Sequence, residues 1–388
     1  MTGRATSNKS VALTQKFMSP STPRDHSVTI AKAIAIILMV MGHAGCPPVV
    51  NSYLQLMRMP LFFFMSGYCF KVTYLDDPSA YLFKRVKGVY WPYVKWGVVF
   101  VLLHNVFMHL SLYTDGFSYH GDAIYHYDAY ETGHRLLDIL LMVRTEHMIM
   151  GFWFLKALFW GSCIFFLVRS VIGNAYLGAL LLLCLTIISS KFHWLVPVLG
   201  LDALDLFAAF FIMTGHIFRH AQLRGGLIVY RIINNWWLLL IFAICIGVMS
   251  IYSPASMLYF NWSQVIPFAC VATMGSLIIF AIGSWVNHWR TVSASKLVAI
   301  SKDGLRRFLI YTGGYTFNVL TWHFLSFKIV SLFIIAVAGL QYARVGDFPV
   351  IREYAHQGLW ALYWIVGVTV PVAGTYLRDW ILHRAKKK

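Results

Sequence analysis

About ten apolar runs divide this chain, long enough for helices to cross the ~30 Å hydrocarbon core of a bilayer. They lie near 28–45, 53–72, 89–112, 151–169, 175–190, 198–218, 234–251, 264–285, 309–339 and 358–380. A lipid core offers no water to backbone N–H and C=O groups, so apolar runs of this length fold as helices. The fold class that follows is all-α: a polytopic membrane protein with about ten transmembrane helices. The ninth run is too long for one straight span, and Gly313, Gly314 and Gly339 mark where it starts, bends or ends. Composition agrees, since only 12% of the 388 residues are charged, against about 25% in soluble domains.

Orientation follows from Lys and Arg. With the N-terminus inside, 22 of the 32 basic residues fall in cytoplasmic segments, 6 in external ones and 4 (Lys32, Lys95, Lys156 and Lys328) within spans. That asymmetry predicts N-in and C-in. The expected organisation is a polar cytoplasmic tail over 1–27, a membrane domain over 28–380 and a basic cytoplasmic tail over 381–388. No small-residue cleavage site follows the first apolar run, which reads as a retained span. The net charge of +17 is assigned to the lipid bilayer and not to nucleic acid, because no basic helix stands apart from the apolar runs. Six cysteines without a Cys-x-x-Cys pair argue against a zinc site or a disulfide framework, and no metal is expected.

The longest polar stretch, about 113–148, is external on this topology. Its carboxylates and histidines read as a solvated loop before they read as an acceptor-binding lid or a metal site. The stretch 135–143 has helical apolar spacing suited to a membrane surface.

Ionisable groups inside spans are costly and therefore functional candidates. Lys32 and His43 are eleven residues apart, close to three helical turns, so they share one face about 16 Å apart along the axis. A cation at one membrane surface can bind the phosphates of a donor while an imidazole nearer the other acts as general base. The plain alternative is a snorkelling lysine and an interhelical histidine.

The run AKAIAIILMVMGH (31–43), followed by MRMPLFFFMSGYCF (57–70), resembles the acyltransferase-3 family of integral membrane acyltransferases. KRVKGVYWPY (84–93), GFWFLKALF (151–159) and TWHFLSFKIVSL (321–332) extend the resemblance over most of the chain. Lys32 stands where many members carry Arg, and Arg58 where related sequences often carry His.

The resemblance implies a membrane O-acyltransferase that moves an acyl group, usually acetyl, from cytosolic acyl-CoA to a hydroxyl of an envelope glycan or lipid-linked acceptor. On this reading His43 is catalytic, as base or acyl carrier, with Arg58 stabilising the oxyanion or orienting the acceptor. Lys32 helps hold acetyl-CoA, joined by the basic loop of Lys84, Arg85 and Lys87, which positive-inside topology also explains. Supporting roles fall to His323, Lys156, Trp153 and Ser66, each with a packing, interfacial or interhelical alternative. Asp202 and Asp205 read first as helix caps. The expected site is the inner (plasma) membrane of a bacterium. The competing reading is a transporter or flippase of a glycan or lipid-linked sugar, since intramembrane charges also mark transport paths.

Overall fold

Helix α1 (Ser27–His43) runs through the middle of the molecule, and its small residues allow this. Ala31, Ala33 and Ala35 are fully buried, and short side chains let neighbouring backbones come close. The computed structural model describes residues 25–117, 123–193, 196, 199–223, 227–289 and 296–385. Residues 1–24 and 386–388 of the expected tails lie outside this description, as do Arg224 and Arg290.

After α1 come α2 (Pro48–Gln55), α3 (Pro60–Tyr68), α4 (Pro78–Arg85), α5 (Trp91–Leu102), α6 (His104–His109) and α7 (Ala129–Leu140). The chain continues through α8 (Trp153–Ile172), α9 (Ala175–Phe192), α10 (Ala203–Leu223), α11 (Leu227–Asn234) and α12 (Trp236–Tyr252). It ends with α13 (Val265–Asn287), α14 (Lys296–Gly314), α15 (Thr316–Ala338) and α16 (Trp360–Ala385). Among the described residues the only sheet is a two-residue antiparallel pair, Gly116–Phe117 with Ala123–Ile124. The described secondary structure is otherwise helical, and among the described residues five helical stretches are long and apolar enough to cross a membrane. The first lies over His147–Ile172 and the last over Arg352–Ala385.

Three expected spans are broken. The second divides into α2, a turn over 56–59 and α3, because Pro60 has no N–H to continue a helix through itself. At nine residues α3 is about 13 Å long, short of a bilayer. The third run breaks between α5 and α6. The ninth splits into α14 and α15 at Tyr315, directly after Gly313 and Gly314.

Glycine sets two of the closest helix approaches. Gly67 of α3 lies against the Ile212 carbonyl of α10, and Gly215 of α10 against the Phe64 carbonyl of α3, so a Cβ at either would collide with backbone. Trp364 of α16 donates its indole N–H to the Ile37 carbonyl of α1 at 2.9 Å. Helix α7 packs on α5, with Ile139 of α7 over Gly97 of α5.

In the 113–148 stretch, Glu146 is buried and accepts from the hydroxyls of Tyr127 (3.0 Å) and Tyr113 (3.3 Å), with the His104 ring 3.2 Å away. Burial, reinforced by this carboxylate, keeps both phenols protonated well beyond their usual range.

Candidate functional site

The regular turn of α1 carries Lys32, Ile36, Met39 and His43 down one face, and that face borders two cavities. The first, about 330 Å³, takes Lys32 and Ile36 from α1, Ser66 and Cys69 from α3 and its end, and Arg85 from α4. The second, about 360 Å³, takes Met39 and His43 from α1, with Arg58, Trp153 and Arg352. Met59 and Leu320 belong to the walls of both.

The Lys32 cavity holds two polar atoms that lack partners. Ser66 Oγ and Arg85 Nε are buried, and neither has a hydrogen-bond partner among the described residues. Buried polar atoms are rarely left unsatisfied, so these two atoms are open to water or to a polar ligand. The Arg85 guanidinium also stacks 4.9 Å from the Tyr81 ring.

At the other end, irregular backbone forms the site. Helix α1 stops at His43 and α3 starts at Pro60, and the turn between α2 and α3 delivers Arg58 to the end of α1. Non-helical backbone at membrane depth is tolerated where protein buries it or a cavity receives it. The Arg58 guanidinium lies where a Cβ on Gly42 would be, next to His43, and its Nη1 donates to Asn51 Oδ1 at 2.9 Å. His43 meets the edge of Phe324 at 5.0 Å and the His323 ring at 5.5 Å between centroids. Among the described residues His43 makes no hydrogen bond, which leaves its ring nitrogens to the cavity.

His323 is fully buried in α15. Its Nδ1 lies 3.0–3.1 Å from the carbonyls of Leu320 and Val319. Carbonyls only accept, so Nδ1 carries the hydrogen, and Nε2 is left without a partner among the described residues.

The other sequence candidates separate. Ser66 and Arg85 join Lys32, and Trp153 and Arg58 join His43. Lys84 is exposed and donates to the Tyr74 hydroxyl at 3.0 Å, and Lys87 is exposed; neither lines these cavities. Lys156 faces elsewhere: its ammonium is 2.9 Å from Asp205 Oδ2 and 3.8 Å from Asp202. Asp202 also caps α10 by accepting the Leu204 N–H. Lys328 is buried and donates to the carbonyls of Val345 and Asp347, holding the loop after α15 in place.

Sequence reasoning missed Gly42, Asn51, Met59, Leu320 and Arg352. Gly42 carried one signal, its position beside the histidine. The rest are brought to the site by folding, and no local pattern marks them.

No curated protein and no solved structure matches the chain. The family profile described as an acyltransferase domain matches residues 25–378, a span that contains every residue of both cavities, and the chain belongs to the acyltransferase-3 family of membrane acyltransferases.

Proposed function

We propose that the protein is an O-acyltransferase that carries acetyl from cytosolic acetyl-CoA to a hydroxyl of an envelope glycan or lipid-linked sugar at the bacterial plasma membrane. One observation carries this reading: a single face of α1 borders a cation-bearing cavity at its Lys32 end and an imidazole-bearing cavity at its His43 end, and the two share Met59 and Leu320. The excess of basic residues on the Lys32 side supports a cytoplasmic position for that end. Cytosolic donor and external acceptor then approach the same histidine from opposite sides. Intramembrane breaks also occur in transporters, so family membership, and not the broken second segment, favours chemistry over transport.

In this mechanism Lys32 and Arg85 hold the CoA phosphates, and the acyl-bearing arm reaches past Met59 and Leu320. His43 accepts the proton of the acceptor hydroxyl as its oxygen attacks the thioester carbonyl. Arg58 faces the oxyanion that develops. The carbon–sulfur bond then breaks, and the proton held by His43 passes to the departing CoA sulfur. If His43 carries the acyl group covalently instead, its ring nitrogen attacks the thioester carbonyl, the carbon–sulfur bond breaks and the ring proton leaves with the CoA sulfur; the acceptor hydroxyl then takes the acyl group, its proton returns to the ring, and Arg58 faces the oxyanion in both steps.

Acetyl-CoA binding and turnover by protein in nanodiscs test this. His43→Ala should bind acetyl-CoA and not turn it over, whereas Lys32→Ala should chiefly weaken binding. Wild type that neither binds nor hydrolyses acetyl-CoA, or variants that match it, would end the proposal.

A further inference from the structure

The His43 cavity is more basic than acyl transfer requires. Its lining includes Arg58, Arg352, His43 and His356 and no aspartate or glutamate. Arg58 has the thioester to serve under the proposed mechanism. Arg352 does not: it lies at the rim, where this cavity meets a second, outer one of about 590 Å³ through Phe348, Val350 and Arg352 itself.

The outer cavity contains three carboxylates, of which Asp347 and Glu353 are already paired, while Asp115 makes no ion pair among the described residues. Arg344 binds Asp347 at 2.6 Å and Glu353 at 2.7 Å. These bonds, Glu353 first, hold the Arg344 guanidinium protonated even more firmly than usual. The arrangement leaves Arg352 with no ion pair among the described residues, although Glu353 is its sequence neighbour. A guanidinium presents a planar fork suited to a carboxylate or phosphate. Arg352 is exposed at the rim, open to an incoming ligand, while the buried Arg58 deeper in the cavity keeps its field less screened.

We propose, building on the acyltransferase reading, that the acceptor is an anionic carbohydrate, bearing a carboxylate or phosphate that Arg352 binds while a hydroxyl of the same sugar reaches His43. Asn51, Gln55 and Ser256 line the same cavity and supply polar contacts suited to sugar hydroxyls. Arg352 is then a specificity residue at the acceptor mouth.

The test uses protein in phosphatidylcholine nanodiscs and the thermal shift produced by sugar pairs that differ in charge. Methyl glucuronide is set against methyl glucoside, and glucose 6-phosphate against glucose; the first pair reads a carboxylate and the second a phosphate. We expect at least one anionic member to bind roughly tenfold or more tightly than its neutral partner, since a charge-assisted contact is about twice as strong as a neutral one. The preference should shrink as salt rises, vanish in Arg352→Glu and persist in weakened form in Arg352→Lys. Equal shifts within both pairs, or an anionic preference that survives Arg352→Glu, overturn the proposal. So does an equal stabilisation by phosphatidylglycerol without sugar, which would assign the anion to the membrane. Should Arg352→Glu fail to fold, Arg352→Gln takes its place: the anionic preference should vanish there as well, and its survival overturns the proposal. Acetyl-CoA binding by the same preparation reports separately on the acyltransferase reading, so either can fail without the other.

Discussion

A missing side chain decides where the second cation of the site can stand. Gly42 precedes His43, and the Arg58 guanidinium occupies the space its Cβ would take. Alanine is a better helix former than glycine by about 1 kcal/mol, so Gly42→Ala should leave α1 intact while forcing the tip of Arg58 away from His43. We expect acetyl-CoA binding to persist and turnover to fall about 10²-fold, the scale of losing one oxyanion donor. Turnover measured beside a binding isotherm checks this, and unchanged turnover would show that Arg58 has no part in the chemistry. Lys32 and His43 were legible from sequence because helical period alone puts residues eleven positions apart on one face. Gly42 was not, since its role depends on a side chain arriving from the turn before α3.

At the scale of elements, apolar length identified the membrane segments, but proline and glycine decided their continuity. The glycines before Tyr315 gave a legible break, and Pro60, which lies inside the expected second span and is a residue suited to a helix start, does begin a short helix. Lys156 shows a second limit of local reading: an ionisable group within a span looks functional until its partner on another helix is known. Its pair with Asp205 ties α8 to α10, and the Asp205 side chain is completely buried. Removing one member of a buried pair strands the other, at a cost of about 3–5 kcal/mol, whereas replacing both with apolar residues of similar size is often neutral. Asp205→Leu should therefore lower thermal stability strongly, and the double variant Asp205→Leu with Lys156→Met should recover most of it. Acetyl-CoA affinity of the double variant should match wild type, because the pair lines neither cavity. A double variant that is stable but inactive would instead assign Lys156 to the chemistry.

Over the whole molecule, no stretch of sequence contains the site, because its two halves exist only once α1 is surrounded. The turn before α3 supplies Met59 and α15 supplies Leu320, and these two side chains are common to both cavities. If an acyl arm passes between them, a larger side chain there should separate binding from chemistry. Leu320→Trp keeps the position apolar and adds bulk at the shared wall, leaving the phosphate-binding cations at the Lys32 end in place. Cys69 lines the Lys32 cavity, so in a variant whose other cysteines are replaced, protection of Cys69 from maleimide by CoA reports donor binding without relying on turnover. We expect Leu320→Trp to retain that protection and to lose acetyl-CoA turnover by 10²-fold or more, the scale on which small misplacements of reacting groups act. Loss of protection together with turnover would mean that the cavities do not divide the labour. Full turnover would mean that the acyl group reaches His43 by another route, and the lateral groove between Trp96, Trp322 and Pro371 would become the path to examine.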